Sequence, residues 1–245
     1  MFFSFLISLL ASISTFFGGL VIFFKEVDKK KIISISMYFA SGVMIAVGIL
    51  DLSPTGIFLL SNYYGYIKAL FLFLFLLIIG IIISKIINRA SSKNNKNSLY
   101  NAGIFSFITI ILHNIPEGIA TFITSSNDIK LGISFATAIA LHNIPEGITI
   151  AIPIYYSTGK KKNAFLYTFL AGISEFFGAI IAFVFFAQVN INIFLGILYP
   201  IIVGIMLFLS IEELIPNAKI YDVRSKYKVF LIIGIVFMFI IHLIT

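Results

Sequence analysis

The chain has no cysteine, no tryptophan and little charge: of its 245 residues, 11% are charged and 60% are hydrophobic. Without cysteine there is no disulfide framework, no thiolate metal site and no cysteine nucleophile. So little charge cannot clothe a water-soluble domain, in which about a quarter of the residues are charged. Polar stretches are equally scarce, and the longest, Arg89 to Asn101, is barely a loop. What remains is a succession of apolar runs of about 20 residues, each able to cross the ~30 Å hydrocarbon core of a bilayer as a helix. The first, Met1 to Phe24, lacks a basic leader and a small-residue cleavage site, so it reads as a retained span rather than a signal peptide.

The breaks between runs predict an all-α membrane protein, a single transmembrane domain over 1–245. Eight transmembrane helices fall at about 2–24, 32–54, 66–87, 102–123, 130–156, 164–187, 191–215 and 228–244. The basic residues give the orientation. Lys25, Lys29, Lys30 and Lys31 follow span 1, and Lys85, Arg89, Lys93 and Lys96 border the 3–4 loop. Lys160, Lys161 and Lys162 sit in the 5–6 loop, and Lys219, Arg224, Lys226 and Lys228 in the 7–8 loop. These are fifteen of the seventeen Lys and Arg, and only Lys68 and Lys130 fall on the other side. Cytoplasmic loops carry such an excess, so both termini are expected to face out of a cell (plasma or inner) membrane. The net charge of +7 then reflects topology and contact with anionic headgroups, and no nucleic-acid partner is expected.

Laid on itself, the chain repeats. ILHNIPEGI in span 4 returns as ALHNIPEGI in span 5, an offset of 29; ASISTFFGGL (11–20) returns as AGISEFFGAI (171–180), an offset of 160. GVMIAVGILDLSP (42–54) matches GIMLFLSIEELIP (204–216) without a gap, an offset of 162. The paired spans run in opposite directions, so the expected architecture is a 3+2+3 inverted repeat. Residues 1–88 and 164–245 form the two halves, and the central pair over 102–156 carries both hexapeptides. Pseudo-two-fold axes in the membrane plane are typical of secondary transporters, with the substrate site where the repeats meet.

Polar residues within the spans are the most informative. Asp51, Glu117, Glu146 and Glu175 are intramembrane acids, and two of the three histidines, His113 and His142, belong to the hexapeptides. A buried carboxylate costs several kcal/mol unless it is paired or cation-bound. No Lys or Arg is close to mid-span, so the cation is expected from outside. His113 and Glu117 are i,i+4 and Asn114 and Glu117 are i,i+3, which places all three on one helical face; His142, Asn143 and Glu146 repeat this. Pro116 and Pro145 lack an N–H and leave the carbonyls of Leu112 and Leu141 without their helical donor. Gly118 and Gly147 permit close approach of a helix or ligand. Two imidazoles, two Asn amides and two carboxylates can thus converge, joined by Glu175, whose counterpart Thr15 breaks the symmetry. Such an O/N set suits Zn²⁺ and also Fe²⁺, Mn²⁺ or Co²⁺, and two carboxylates between two ligand sets could bridge a pair of metals.

Asp51 and Glu213 are related by the 2/7 repeat, each followed by L-x-P. Read functionally, they attract and hand on cations at the outer and cytoplasmic mouths; read structurally, they are interfacial carboxylates near helix ends. Met44 and Met206 correspond and read as packing. His242, near the outer end of span 8, reads as interfacial.

At these residues the chain resembles the ZIP family of divalent-metal transporters, in particular its compact bacterial zinc-uptake branch. The resemblance covers essentially the whole chain: eight spans, HNxPEG in spans 4 and 5, and a Ser-Glu pair in span 6. It implies import of Zn²⁺ and related ions, Fe²⁺, Mn²⁺, Co²⁺ and Cd²⁺ among them, into the cytoplasm as transported substrate. It also implies a binuclear site, with His113, Glu117, His142 and Glu146 at one ion. Asn114, Glu117, Asn143, Glu146 and Glu175 hold the second, so both glutamates bridge. Spans 1, 4, 5 and 6 would move against spans 2, 3, 7 and 8. The 3–4 loop here carries no histidine, whereas many relatives have a His-rich loop there. The expected partners are divalent ions and the lipid bilayer, with a homodimer left open.

Two other classes compete with a carrier. A membrane-embedded zinc-dependent hydrolase would use the metal to activate water, but HExxH is missing and no separate general base remains once both motif glutamates are ligands. A structural protein cross-linked by its ion would not need inverted repeats. Saturable metal flux distinguishes the carrier from both.

Overall fold

The computed structural model describes residues 1–23, 28–92, 97–185, 191–222 and 224–244. Lys25, Lys93 and Lys96, counted above among the basic loop residues, lie outside the described residues. Helix is the only regular structure among them. Seven helices are long and apolar enough to cross a membrane: α1 (Phe2–Phe23), α2 (Lys30–Tyr64), α3 (Tyr66–Ala90), α4 (Ser98–Asn127), α5 (Ile129–Thr158), α6 (Lys161–Phe185) and α7 (Asn192–Tyr221). The eighth, α8 (Val229–Ile244), is apolar and 16 residues long. Large apolar side chains such as Phe71, Phe75, Ile78 and Ile82 of α3 are exposed on the outer surface, as a lipid solvent requires.

The connections are short because single residues cap two helices at once. Asp128, extended at φ −145°, ends α4 through its N–H to the Thr124 carbonyl. It starts α5 by accepting the N–H groups of Lys130 and Leu131 at its carboxylate, 2.8 and 3.2 Å. Asn97 caps α4 in the same way from Leu99 and Tyr100. Gly65, at φ +77°, turns α2 into α3 within one residue, a backbone state that other residues reach only with strain.

Two boundaries differ from the sequence expectation. Spans 2 and 7 were expected to end at 54 and 215, yet α2 runs on to Tyr64 and α7 to Tyr221. In each, a π-helical turn precedes the proline, Gly48–Leu52 in α2 and Leu209–Leu214 in α7. The wide turn closes with Ser53 N–H on Gly48 O and Ile215 N–H on Ser210 O. Pro54 and Pro216 then stand at the start of the next helical segment, where no N–H is needed. The two turns fall at matching positions of the 2/7 sequence repeat, and they carry Asp51 and Glu213.

Packing divides the helices into two groups. α1 packs chiefly on α5 and α6, and α4 on α5 and α6; α2 packs on α8, and α3 on α7. Within each group the crossings are set by glycine against backbone. A Cβ at Gly18 would stand 2.1 Å from the Ile144 carbonyl oxygen, and one at Gly178 2.0 Å from that of Ile115. The same holds for Gly42 on Leu231 (2.1 Å) and Gly204 on Leu77 (2.2 Å). Gly80 on Ile201 and Gly234 on Phe39 complete the set. Side-chain contacts bring the chain ends to one face: Ser126 beside the α4–α5 turn bonds Ser4 (3.1 Å), and His242 meets Asp51.

These crossings are expected to be intolerant of one methyl group. Gly42→Ala should lower stability by about 1–3 kcal/mol or prevent folding, because the obstacle is backbone rather than a side chain that can swing away. Gly159, left-handed at φ +71° and ψ 1° where α5 ends, faces open space, so Gly159→Ala should cost only the ~1 kcal/mol of that backbone state. Thermal unfolding of the two purified variants in detergent checks the order; a larger loss for Gly159→Ala would contradict it.

Candidate metal centre

α4 and α5 lie antiparallel and turn their hexapeptides toward one another. His113, Asn114 and Glu117 of α4, and His142, Asn143 and Glu146 of α5, are all buried, as is Glu175 of α6. The close approach rests on the glycines that follow the acids. A Cβ at Gly118 would stand 1.7 Å from the Glu175 carbonyl oxygen, and one at Gly147 1.9 Å from that of Thr15. α6 and α1 therefore press against the two motifs at repeat-related positions.

The acids are matched to imidazoles across the helix pair rather than along each helix. His113 Nε2 stands 3.0 Å from Glu146 Oε2, and His142 Nε2 stands 3.5 Å from Glu117 Oε1. Both contacts are at ion-pair distance without the alignment of a hydrogen bond, since these nitrogens and oxygens have no hydrogen-bond partner. The amides are held from outside. Asn114 donates from Nδ2 to Ala171 O of α6 at 3.1 Å, and Asn143 donates to Glu175 Oε2 at 2.8 Å and, more distantly, to Ala11 O of α1 at 3.5 Å. Ala11 and Ala171 are themselves mates at the offset of 160.

The centre consequently holds an excess of lone pairs. Both oxygens of Glu117, Oε2 of Glu146, Oε1 of Glu175, Oδ1 of Asn114 and Asn143, and both ring nitrogens of His113 and His142 are buried with no hydrogen-bond partner. An unsatisfied buried polar atom costs about 1–3 kcal/mol, more when charged. Each neutral imidazole offers one N–H and one lone pair, so the six oxygens outnumber the donors, an excess that makes sense chemically for a cation, whose ligands are such lone pairs. As the side chains stand, no group of three His, Asp or Glu among the described residues is gathered tightly enough to hold one ion. Sequence reasoning grouped the acids by helix face; the structure joins them two by two between faces.

A cavity of about 570 Å³ leads to this centre from the face that holds the chain ends. Glu117, His142 and Tyr199 line its depth, and Asp51 and His242 its mouth. Exposure falls along it, from 43% for the His242 side chain and 31% for Asp51 to 5% for His142 and 4% for Glu117. Glu213 is not on this cavity; its Oε1 accepts from Asn88 Nδ2 of α3.

Two residues of the cavity escaped the sequence. His242 read as an interfacial side chain, yet it pairs with Asp51. Tyr199 was not singled out. A signal for His242 did exist: IIGIIISKIIN (78–88) and IIGIVFMFIIH (232–242) are identical at six of eleven positions, with an offset of 154 that relates His242 to Asn88.

Residues 88–242 match the family described as ZIP Zinc transporter. The chain is 35% identical to the zinc transporter ZupT of Clostridium perfringens, over 96% of this chain and 93% of that protein. It is 33% identical to that of Campylobacter jejuni (97% and 94% covered) and 36% identical to that of Streptococcus mutans (90% and 89%). The chain belongs to the ZIP zinc transporter family.

Proposed function

We propose that the chain imports divalent metal ions, Zn²⁺ first and also Fe²⁺, Mn²⁺, Co²⁺ and Cd²⁺, into the cytoplasm through an intramembrane binuclear site. Membership of a transporter family excludes the hydrolase reading. The observation that carries the proposal is the buried array of unpartnered oxygens and imidazole nitrogens on α4, α5 and α6. His113, Glu117, His142 and Glu146 supply the nitrogen-containing ligand set for one ion. Asn114, Asn143 and Glu175, with both bridging glutamates, supply an all-oxygen set for the other. Without thiolate the ions are held moderately, which suits release.

Transport is by alternating access, with α1, α4, α5 and α6 moving against α2, α3, α7 and α8, so that each moving unit draws on both inverted repeats, 1–88 and 164–245. Several features support this reading: the glycine crossings come in repeat-related pairs, and one cavity reaches Glu117 and His142 but not His113, Glu146 or Glu175. Import is supported by charge. The cavity opens on the face of the chain ends, and the basic loops lie opposite, where the positive-inside rule places the cytoplasm. Asp51 at the cavity mouth and Glu213 on the other side stand at entry and exit.

In proteoliposomes offered Zn²⁺, Fe²⁺, Mn²⁺, Co²⁺ and Cd²⁺ in turn, Glu117→Ala, Glu146→Ala and Glu175→Ala should each lower saturable uptake at least about tenfold, the equivalent of 1.4 kcal/mol. Normal transport by all three would remove the site assignment. The absence of native cysteine makes the orientation in the membrane testable as well. In intact cells an impermeant maleimide should label Lys130→Cys, and Lys161→Cys only after permeabilisation; the opposite pattern would reverse the orientation.

A further inference from the structure

Asp51 and His242, from α2 and α8, meet at the mouth of the cavity, with His242 Nδ1 2.5 Å from Asp51 Oδ1. The repeat offers a control within the same molecule. The mate of Asp51 is Glu213 and the mate of His242 is Asn88, and these two also meet, Asn88 Nδ2 donating to Glu213 Oε1. In both places a π-turn presents a carboxylate to a side chain of the neighbouring helix. The chemistry differs. An amide nitrogen has no lone pair for a metal, so Asn88 grips Glu213 as a donor. An imidazole nitrogen is a ligand for Zn²⁺, Co²⁺ and their neighbours, and beside a carboxylate it forms half of a common metal-ligand set.

We propose that Asp51 and His242 form an outer acquisition site for a divalent cation of the Zn²⁺ class, separate from the buried centre. Oδ1 and Nδ1 hold the ion, and water completes its shell, since both side chains are partly exposed. Two protein ligands make a weak, quickly exchanging site, suited to capture. The ion then has Glu117 and His142 ahead of it along one cavity. That hand-on rests on the proposed function above, whereas binding at the mouth does not. The Asn88–Glu213 contact lacks the imidazole, so the two ends of the path differ in metal affinity.

His242→Asn is the informative variant, because it installs the side chain of the mate position and keeps a donor for Asp51. The full-length protein in detergent is first stripped of its central carboxylates by Glu117→Ala, Glu146→Ala and Glu175→Ala together. Calorimetric titration with Co²⁺ should then leave one weak equivalent, lost on adding His242→Asn. In the otherwise native chain in proteoliposomes, His242→Asn should raise the KM for Zn²⁺ about tenfold, as loss of one ligand would, with the unfolding temperature unchanged. A structural clamp alone would keep the KM as it was. An unchanged KM, or no residual Co²⁺ in the stripped protein, would overturn the proposal. Wild-type transport by the stripped protein would instead overturn the buried centre, and the Co²⁺ titration would still decide the mouth.

Discussion

Two imidazole–carboxylate contacts, His113 with Glu146 and His142 with Glu117, join α4 to α5 in the interior, and the remaining structure is arranged to permit them. A carboxylate buried in an apolar interior costs several kcal/mol, and the histidines offset this only in part, as their geometry falls short of hydrogen bonds. The single-residue turn at Asp128 sets both contacts together. His113 lies 15 residues before Asp128 and Glu146 18 after it; Glu117 lies 11 before and His142 14 after, the same stagger of three. A longer or looser connection would leave the register free and strand four buried groups at once. The glycines after each acid do the lateral part of this work, because only a hydrogen fits beneath the carbonyls of Glu175 and Thr15.

The repeated sequence positions make matching contacts to backbone but differ in their side-chain chemistry. Each motif Asn reaches a backbone carbonyl of the flanking helix, Ala171 for Asn114 and Ala11 for Asn143, at matching repeat positions. Glu175 adds a carboxylate to one side of the centre, and Thr15 on the other side contributes a buried hydroxyl without a hydrogen-bond partner. Only Asn143 is therefore held by a side-chain carboxyl oxygen. Matching positions of the sequence repeat thus make matching backbone contacts, while one substitution, Glu175 for Thr15, decides which side of the centre carries the additional carboxyl group.

Much of this was legible in the sequence because the lipid solvent is so restrictive. Apolar length marked the helices, and polar residues within them marked the centre, since little else justifies their cost. The seven residues expected at the centre all lie buried on α4, α5 and α6. Two things were not legible. Helical periodicity pairs His113 with Glu117 on its own helix, but which acid an imidazole faces depends on how two helices cross. His242 is a lone histidine near a chain end, and nothing within its own helix distinguishes a surface ring from one that meets Asp51 191 residues away. The ends of spans 2 and 7 were not legible either, because a π-turn ahead of a proline leaves no mark in hydrophobic periodicity, and helices expected to stop at 54 and 215 continue.

Those π-turns explain why Asp51 and Glu213 stand where they do. Closing i→i+5 bonds adds one residue to a turn, which rotates the following side chains by about 100° relative to the preceding ones. α2 accordingly changes neighbour along its length. Before the turn Gly42 packs on Leu231 of α8, and after it Gly56 packs near Pro200 and Tyr199 of α7. α7 does the same: Gly204 packs on Leu77 of α3 before its turn, and the Ala218 carbonyl accepts from Ser34 of α2 after it. Asp51 and Glu213 sit at the point of exchange, where a helix is leaving one partner and has not yet joined the next. At Asp51 the exchange opens onto the cavity, so this carboxylate has the cavity on one side and His242 of α8 on the other. The same local irregularity thus lets a helix pass its proline and keeps an acid at the edge of the bilayer interior.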